Sequence, residues 1–242
     1  MGKLYVVATP IGNLGDMTVR GMETLRTVDL ITAEDTRHTK KLLDHYQITT
    51  PMVSFHQHSR LNKIDYLIAE LLTGKNLALV TDAGTPGIQD PAGVLVQAAR
   101  TAGIEVVAIP GPSALTAALS IAGVSADSFI FLGFLPKKKC RETLFKKVAD
   151  ANWPLLIYES PMRVGKTLRD IEKHLGVRQL IIFRELTKKF EEVLTGDSSQ
   201  LLEHFTQKPP KGEFVIMILP AQGEASPLRR EASRTKNNYG AD

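Results

Sequence analysis

The sequence predicts an α/β protein of two domains, with a mainly parallel sheet in the first and a mixed sheet in the second. Three observations carry this. Over residues 4–123, apolar runs of strand length alternate with segments of helical spacing, the pattern of a parallel sheet with helices on its faces. After about residue 125, strand-like runs follow one another with fewer helical crossovers, which implies antiparallel pairing. Between them, VTDAGTPGIQDPAG (80–93) ends an apolar run in more Gly and Pro than a sheet ladder tolerates.

Taken in order, LYVVA (4–8) reads as a buried strand. MTVRGMETLRTV (17–28) has helical spacing, with Met22, Leu25 and Val28 on one side. DLITAED (29–35) is a second strand ending in acids. IDYLIAELLTG (64–74) is a helix closed by Gly74, and NLALV (76–80) a strand. GVLVQAARTAG (93–103) is a helix ending at Gly103, and EVVAI (105–109) a strand stopped by PGP at 110–112. SALTAALSIAG (113–123) follows as a helix capped by Ser113. Beyond the change of pattern, FIFLGFL (129–135) is an apolar run and PKKKCR (136–141) a basic loop. LLIYE (155–159) and QLIIFRE (179–185) are strands flanking the helix VGKTLRDIEKHL (164–175). FEEVLT (190–195) alternates weakly, as a strand with one neighbour would. LLEHFTQ (201–207) is a short helix, and FVIMIL (214–219) the last strand. The expected domains are 1–124 and 125–220. Residues 221–242 carry too few apolar side chains to order themselves.

Composition excludes several classes. With 242 residues and 43% hydrophobic content, the chain can bury two cores. No run approaches a membrane span, and the first residues lack the apolar core of a signal peptide. The single Cys140 excludes an internal disulfide and a multi-Cys zinc site, and fits a reducing cytoplasm. Its expected role is a partly buried small residue beside the basic loop. A net charge of +4 permits an acidic partner such as RNA without requiring one. His56 and His58 have the spacing of one strand face, yet no third ligand completes a metal site. They are assigned to a solvated loop, and no metal is expected.

In a parallel α/β sheet, ligands lie beyond the carboxyl ends of the strands. Four segments follow those ends: TPIGNLGD (9–16), AEDTRHTKK (33–41), TDAGTPGIQDPAG (81–93) and PGPSA (110–114). None matches G-x-G-x-x-G or the G-x-x-x-x-G-K-[ST] phosphate loop, which disfavours a nicotinamide or nucleoside-triphosphate enzyme. A ligand with an adenosine but no phosphate chain stays open, and Gly84 and Gly87 let backbone approach it closely. The charge run holding Glu34, Asp35, Arg37 and His38 is equally a solvated helix start capped by Asp35 or Thr36. In the second half, YESPMR (158–163) and FRELTKKFEE (183–192) place Glu159, Arg163, Arg184, Glu185, Lys188 and Lys189 at strand ends. The cations suit phosphate, and Tyr158 and Phe190 suit stacking on a base. Salt bridges and core packing are the plainer reading of each. PKKKCR with Lys146 and Lys147 is the clearest basic cluster.

TPIGNL, AEDTRHT, DAGTPGIQDP, PGPSA, GFLPKK, YESPMR and RELTKKFE occur in this order over residues 5–219. The set resembles the rRNA-modifying branch of the tetrapyrrole-methylase-like (class III) S-adenosylmethionine methyltransferases. Members of that branch 2′-O-methylate a cytidine in the decoding region of 16S rRNA. The resemblance implies two α/β domains with the cofactor S-adenosyl-L-methionine in a cleft between them, and a homodimer. The substrate would be 16S rRNA, as naked RNA or within the small ribosomal subunit. By position it implies cofactor contacts from Pro10, Gly12, Asn13, Asp82, Gly84, Thr85, Ile88, Ser113 and Ala114. Thr85 stands where the wider family carries the Asp of Gly-Asp-Pro. Gln89 and Ala92 replace a Ser and a Gly of the usual loop, and a polar tail stands where many members continue into a small helical region. Transfer to a ribose hydroxyl needs a base or a neighbouring cation. The candidates for catalytic roles are Glu34, Asp35, Glu159 and Glu185 as bases, with Arg37, Arg163, Lys188 and Lys189 as cations. Asp82 is expected to orient the cofactor loop, and Asp90 to cap the next helix. Two other readings are a methylase of small corrinoid or porphyrinogen substrates, and a non-catalytic protein that binds S-adenosylmethionine or a nucleotide.

Overall fold

The computed structural model describes residues 1–56, 61–137 and 140–221. The expected solvated His58, Lys138 and Lys139 of the basic loop, and nearly all of the expected polar tail lie outside them. The chain divides into two compact units, Met1–Ala117 and a second beginning at Ala118. We propose that residues 124–128, between the helix Ala114–Ile121 and the first strand of the second sheet, form the linker.

The first unit is a five-stranded sheet of β1 (Lys3–Val7), β2 (Leu30–Ala33), β3 (Met52–Ser54), β4 (Leu77–Val80) and β5 (Glu105–Ile109). Their order is β3-β2-β4-β1-β5, and every pair is parallel. The helices are α1 (Val19–Thr27), α2 (Thr36–His45), α3 (Leu61–Leu72) and α4 (Ala92–Thr101), and α5 (Ala114–Ile121) spans the division between the units. Strand alternation divides the core. Leu4, Leu77 and Leu79 pack with Leu67 and Leu71 of α3 and Leu95 and Ala99 of α4. Val7, Ile31, Ala33, Ala78 and Val80 pack with Leu25 of α1 and Leu43 of α2. Because both faces are covered, β2 and β4 are buried along their whole length, and they read as unbroken apolar runs.

Two elements differ from expectation. No strand is expected from the sequence at β3, a three-residue edge strand paired to β2 that ends just before the loop holding His56. Phe55 behind it is buried, its N–H donating to Ala33 O at 2.7 Å. A strand this short gives no readable alternation. The predicted helix at 17–28 starts two residues later, because the Thr18 hydroxyl accepts from Gly21 N–H at 3.0 Å and caps it.

The second unit holds β6 (Ile130–Phe134), β7 (Leu155–Glu159), β8 (Leu180–Arg184), β9 (Glu192–Gly196) and β10 (Phe214–Ile218). The order is β6-β7-β10-β8-β9, with only β6 and β7 parallel. Its helices are α6 (Cys140–Val148), α7 (Pro161–Leu175) and α8 (Ser198–Gln207). Central β10 is buried at all five residues and runs antiparallel to both neighbours. The carboxyl ends of β6, β7 and β8 therefore share one edge with the start of β10. Pro161 fits the first turn of α7, where its missing N–H costs nothing. A capping box of Asp197 and Gln200 opens α8.

PKKKCR was expected as a basic loop, but its end is helical. Cys140 opens α6 and is exposed, not partly buried. Arg141 is buried. Among the described residues no helix is long and apolar enough to cross a membrane.

Candidate functional site

The four loops at the carboxyl edge of the first sheet are joined to one another. Thr9 and Gly84 exchange both backbone hydrogen bonds at 3.0 Å, an isolated antiparallel bridge between the β1 and β4 loops. The Thr9 hydroxyl donates to Thr81 O at 3.2 Å, and the Thr85 hydroxyl to Pro112 O at 3.0 Å. Asp82 Oδ1 accepts from Asp35 N–H at 3.0 Å, and Glu34 Oε2 accepts from the Thr81 hydroxyl at 2.7 Å. The β1, β2, β4 and β5 loops are thereby linked in one chain of contacts. Helices after β1 and β2 pack on one face and the helix after β4 on the other. The β4 loop thus lies at a topological switch point, where open α/β sheets bind ligands.

Gly84 has φ of +84°, a backbone conformation that residues with a side chain rarely adopt. Pro10 is half-buried, while Gly12 and Asn13 are exposed, Asn13 accepting from Gly15 N–H at 3.0 Å. Thr85, Ile88, Ser113 and Ala114 are half-buried. Ser113 precedes α5 and its carbonyl accepts from Ala117 N–H at 2.9 Å. Asp90 accepts from Gly87 N–H at 2.8 Å and from Ala92 N–H, the first amide of α4, also at 2.8 Å.

Asp35 caps α2. Its Oδ1 accepts from Arg37 N–H at 2.8 Å, and its Oδ2 pairs with the Arg37 guanidinium at 2.7 Å. These two contacts hold the Asp35 carboxyl well below the usual carboxylate range. A carboxylate so committed is a poor proton acceptor. Glu34 is half-buried, and among the described residues only the Thr81 hydroxyl is bonded to its carboxylate. The Arg37 side chain is 89% exposed.

In the second unit, the strand-end charges fall into two networks. Glu159 closes β7 with no exposed side-chain surface. Its Oε1 accepts from Ser160 N–H at 2.9 Å and pairs with Arg163 Nε at 3.2 Å; its Oε2 accepts from the Thr167 hydroxyl at 2.6 Å. Buried Arg141 donates to Asp170 and to Thr167, each at 2.6 Å, and Arg163 donates to Leu135 O. Glu159 is enclosed, with both oxygens engaged. Arg141, which ends the expected basic loop, is a core cation.

The second network follows β8. Glu185 Oε1 accepts from Lys188 Nζ and from Glu213 N–H, both at 2.9 Å, and Lys188 Nζ also pairs with Glu213 at 2.8 Å. Lys188 thus pairs with two carboxylates, the plainer of its two expected readings; neighbouring Lys189 is exposed. Thr9, Thr81, Thr167, Asp170, Gly212 and Glu213 join these networks without being candidates from the sequence. A signal existed for two of them: Arg163, Thr167 and Asp170 follow one face of α7 at helical spacing.

This arrangement belongs to a known class. Residues 3–202 match the tetrapyrrole (corrin/porphyrin) methylase model, and the chain belongs to that family. It is 51% identical to a ribosomal RNA small subunit methyltransferase I from Synechocystis sp., over 94% of this chain and 82% of the relative. The protein of that name from Thermotoga maritima is 45% identical, over 90% of this chain and 98% of its own. Among solved structures, a diphthine synthase superposes with a TM-score of 0.71 at 16% identity, covering 90% of each chain. The methyltransferase CobJ does so at 0.68 and 17% identity, covering 91% of this chain and 95% of its own. At such identities these structures share the fold alone.

Proposed function

We propose that this chain transfers a methyl group from S-adenosyl-L-methionine to the 2′-oxygen of a cytidine ribose in 16S rRNA of the small ribosomal subunit, as a cytoplasmic homodimer. The observation that carries the reading is 51% identity, over nearly the whole chain, to a protein named for small-subunit rRNA methylation.

The loops of the first unit suit the cofactor. Nothing lies within 4 Å of where a Cβ on Gly87 would stand, and Gly12, Ala83 and Gly87 expose backbone without bulky side chains. Pro10, Gly12, Asn13, Gly84, Thr85, Ile88, Ser113 and Ala114 would line it, and Asp82 holds their loop in place. The bound cofactor supplies an activated methyl group. The protein's share is to hold the ribose oxygen in line, at about 3 Å, and to accept its proton. Of the candidate carboxylates, Glu34 fits the acceptor's role best: Asp35 is committed to Arg37, Glu159 is enclosed, and Glu185 is paired with Lys188. Arg37, whose side chain is 89% exposed, would be the cation that meets a phosphate of the substrate.

The test is incubation with methyl-labelled S-adenosylmethionine and small ribosomal subunits, with uroporphyrinogen in parallel. Label on a 16S rRNA cytidine ribose is expected. Label on the porphyrinogen, or on no rRNA ribose, would overturn the reading.

A further inference from the structure

The β8–β9 loop spends backbone strain on displaying one side chain. Glu185 and Thr187 have φ of +52° and +66°, in the left-handed region that a β-branched residue rarely enters. The loop is held there by Lys188 N–H donating to Glu185 O at 3.0 Å, Glu191 N–H donating to Lys188 O at 3.1 Å, and the Glu191 carboxylate accepting from Thr187 N–H. At its end Phe190 is 65% exposed, with Lys189 Nζ 5.6 Å from its ring centroid. A core aromatic would not stand on a locked loop facing water.

The other aromatic considered at this edge differs. Tyr158 meets Phe131 edge-on at 4.9 Å and Phe134 at 5.7 Å, so its ring is occupied by packing. The cations differ in the same way: Lys188 is neutralised by two carboxylates, whereas Lys189 pairs with no carboxylate among the described residues.

From this we infer that Phe190 and Lys189 form a platform for one unpaired nucleotide of the RNA substrate, the ring stacking on the base and the ammonium meeting the adjoining phosphate. Stacking on an aromatic face suits a single-stranded base and tolerates any sequence. The inference rests on the proposed RNA substrate and adds where, and in what form, the RNA is held.

The test uses the full chain with small ribosomal subunits and with a single-stranded RNA oligonucleotide. Phe190→Ala should weaken oligonucleotide binding, and raise KM for subunits, about tenfold. S-adenosylmethionine affinity and the melting temperature should hold. Phe190→Tyr should bind as the native protein does, and Phe190→Leu should stay weak, since it keeps apolar area without a π-face. Lys189→Ala should lower the slope of log affinity against log salt by about 0.7–0.9, and Phe190→Ala should leave it unchanged. Native binding by Phe190→Ala, or equal rescue by Leu and Tyr, would overturn the platform. So would dissociation of a native dimer by Phe190→Ala, which would assign the ring to a contact between copies. Failure of the native chain to label rRNA would count against the proposed function, whereas the oligonucleotide arm reads the platform by itself.

Discussion

Asp82 Oδ1 accepts the backbone N–H of Asp35 at 3.0 Å, so a carboxylate on the β4 loop fixes the start of α2 on the β2 loop. Asp90, eight residues on, closes its own loop through Gly87 N–H and α4 through Ala92 N–H. One acid ties two loops together; the other shapes one turn.

The two substitutions should therefore separate. Asp82→Ala frees two loops from each other and should lower S-adenosylmethionine affinity, with a stability loss of about 1 kcal/mol. Asp90→Ala should cost about 1–2 kcal/mol through the lost hydrogen bonds from Gly87 and Ala92 N–H, with the smaller effect on affinity. Calorimetric titration and denaturant midpoints measure both. Equal losses of affinity would show that the loops do not divide their work in this way.

Glu34→Gln keeps the Thr81 contact and removes the proton acceptor. It should lower kcat by about 10²–10⁴-fold with S-adenosylmethionine affinity retained. Thr81→Val removes the hydrogen bond that orients Glu34 and should give a smaller loss. Single-turnover methylation of small subunits reads each. A native rate in Glu34→Gln would assign the base to another group.

What the sequence made legible follows from which forces act locally. β5 and β7 match their predicted bounds because an apolar run ends abruptly, at PGP in one case and at Glu159 in the other. The parallel-sheet reading alone puts the four loops at one edge, since parallel strands leave no other place for their carboxyl ends. The threonines that join those loops were invisible, because Thr9 and Thr81 are 72 residues apart and nothing in either stretch names its partner. Arg141 misled for a related reason. Within PKKKCR it reads as one more surface cation, and only the packing of α6 on α7 brings it to Asp170 and Thr167. Salt bridges are the plainer reading of the charges in RELTKKFE, and the structure has them, but that one partner of Lys188 is Glu213, from a distant segment, is not written in that stretch.

The Arg141 cluster should behave as a buried ionic network. Arg141→Ala leaves Glu159 and Asp170 short of their cation and should cost about 3–5 kcal/mol. Arg141→Lys should recover only part of this, because one ammonium cannot reproduce a guanidinium fork that meets Asp170 and Thr167 together. Urea unfolding of both variants is the measurement. A loss below about 1 kcal/mol in Arg141→Ala would mean that the cluster relaxes into contact with water.

The Glu185–Lys188 pair predicts a pH profile. Burial alone would raise the Glu185 carboxyl, but the Lys188 ammonium and the Glu213 N–H outweigh it and hold the group below its ordinary 4.5. Burial alone would lower Lys188, but Glu213 and Glu185 outweigh it and hold the group above 10.5. The stability from Glu185 is full above its unfolded value and is lost as pH falls through the lowered folded one. That from Lys188 is full below its unfolded value and is lost as pH rises through the raised folded one. The stability gap between the native chain and Glu185→Gln should thus be constant from about pH 5 to pH 10, and shrink beyond both limits. Gly212→Ala should disturb the same pair by another route. Gly212 has φ of +89°, and an added Cβ would stand 2.4 Å from Glu185 Cδ, forcing the carboxylate from Lys188. Its cost should be about 1–3 kcal/mol at neutral pH, and the acid limb of its profile should flatten as that of Glu185→Gln does. Urea midpoints at intervals across the range decide it: a gap that widened toward acid would mean that Glu185 is not held ionised by this contact.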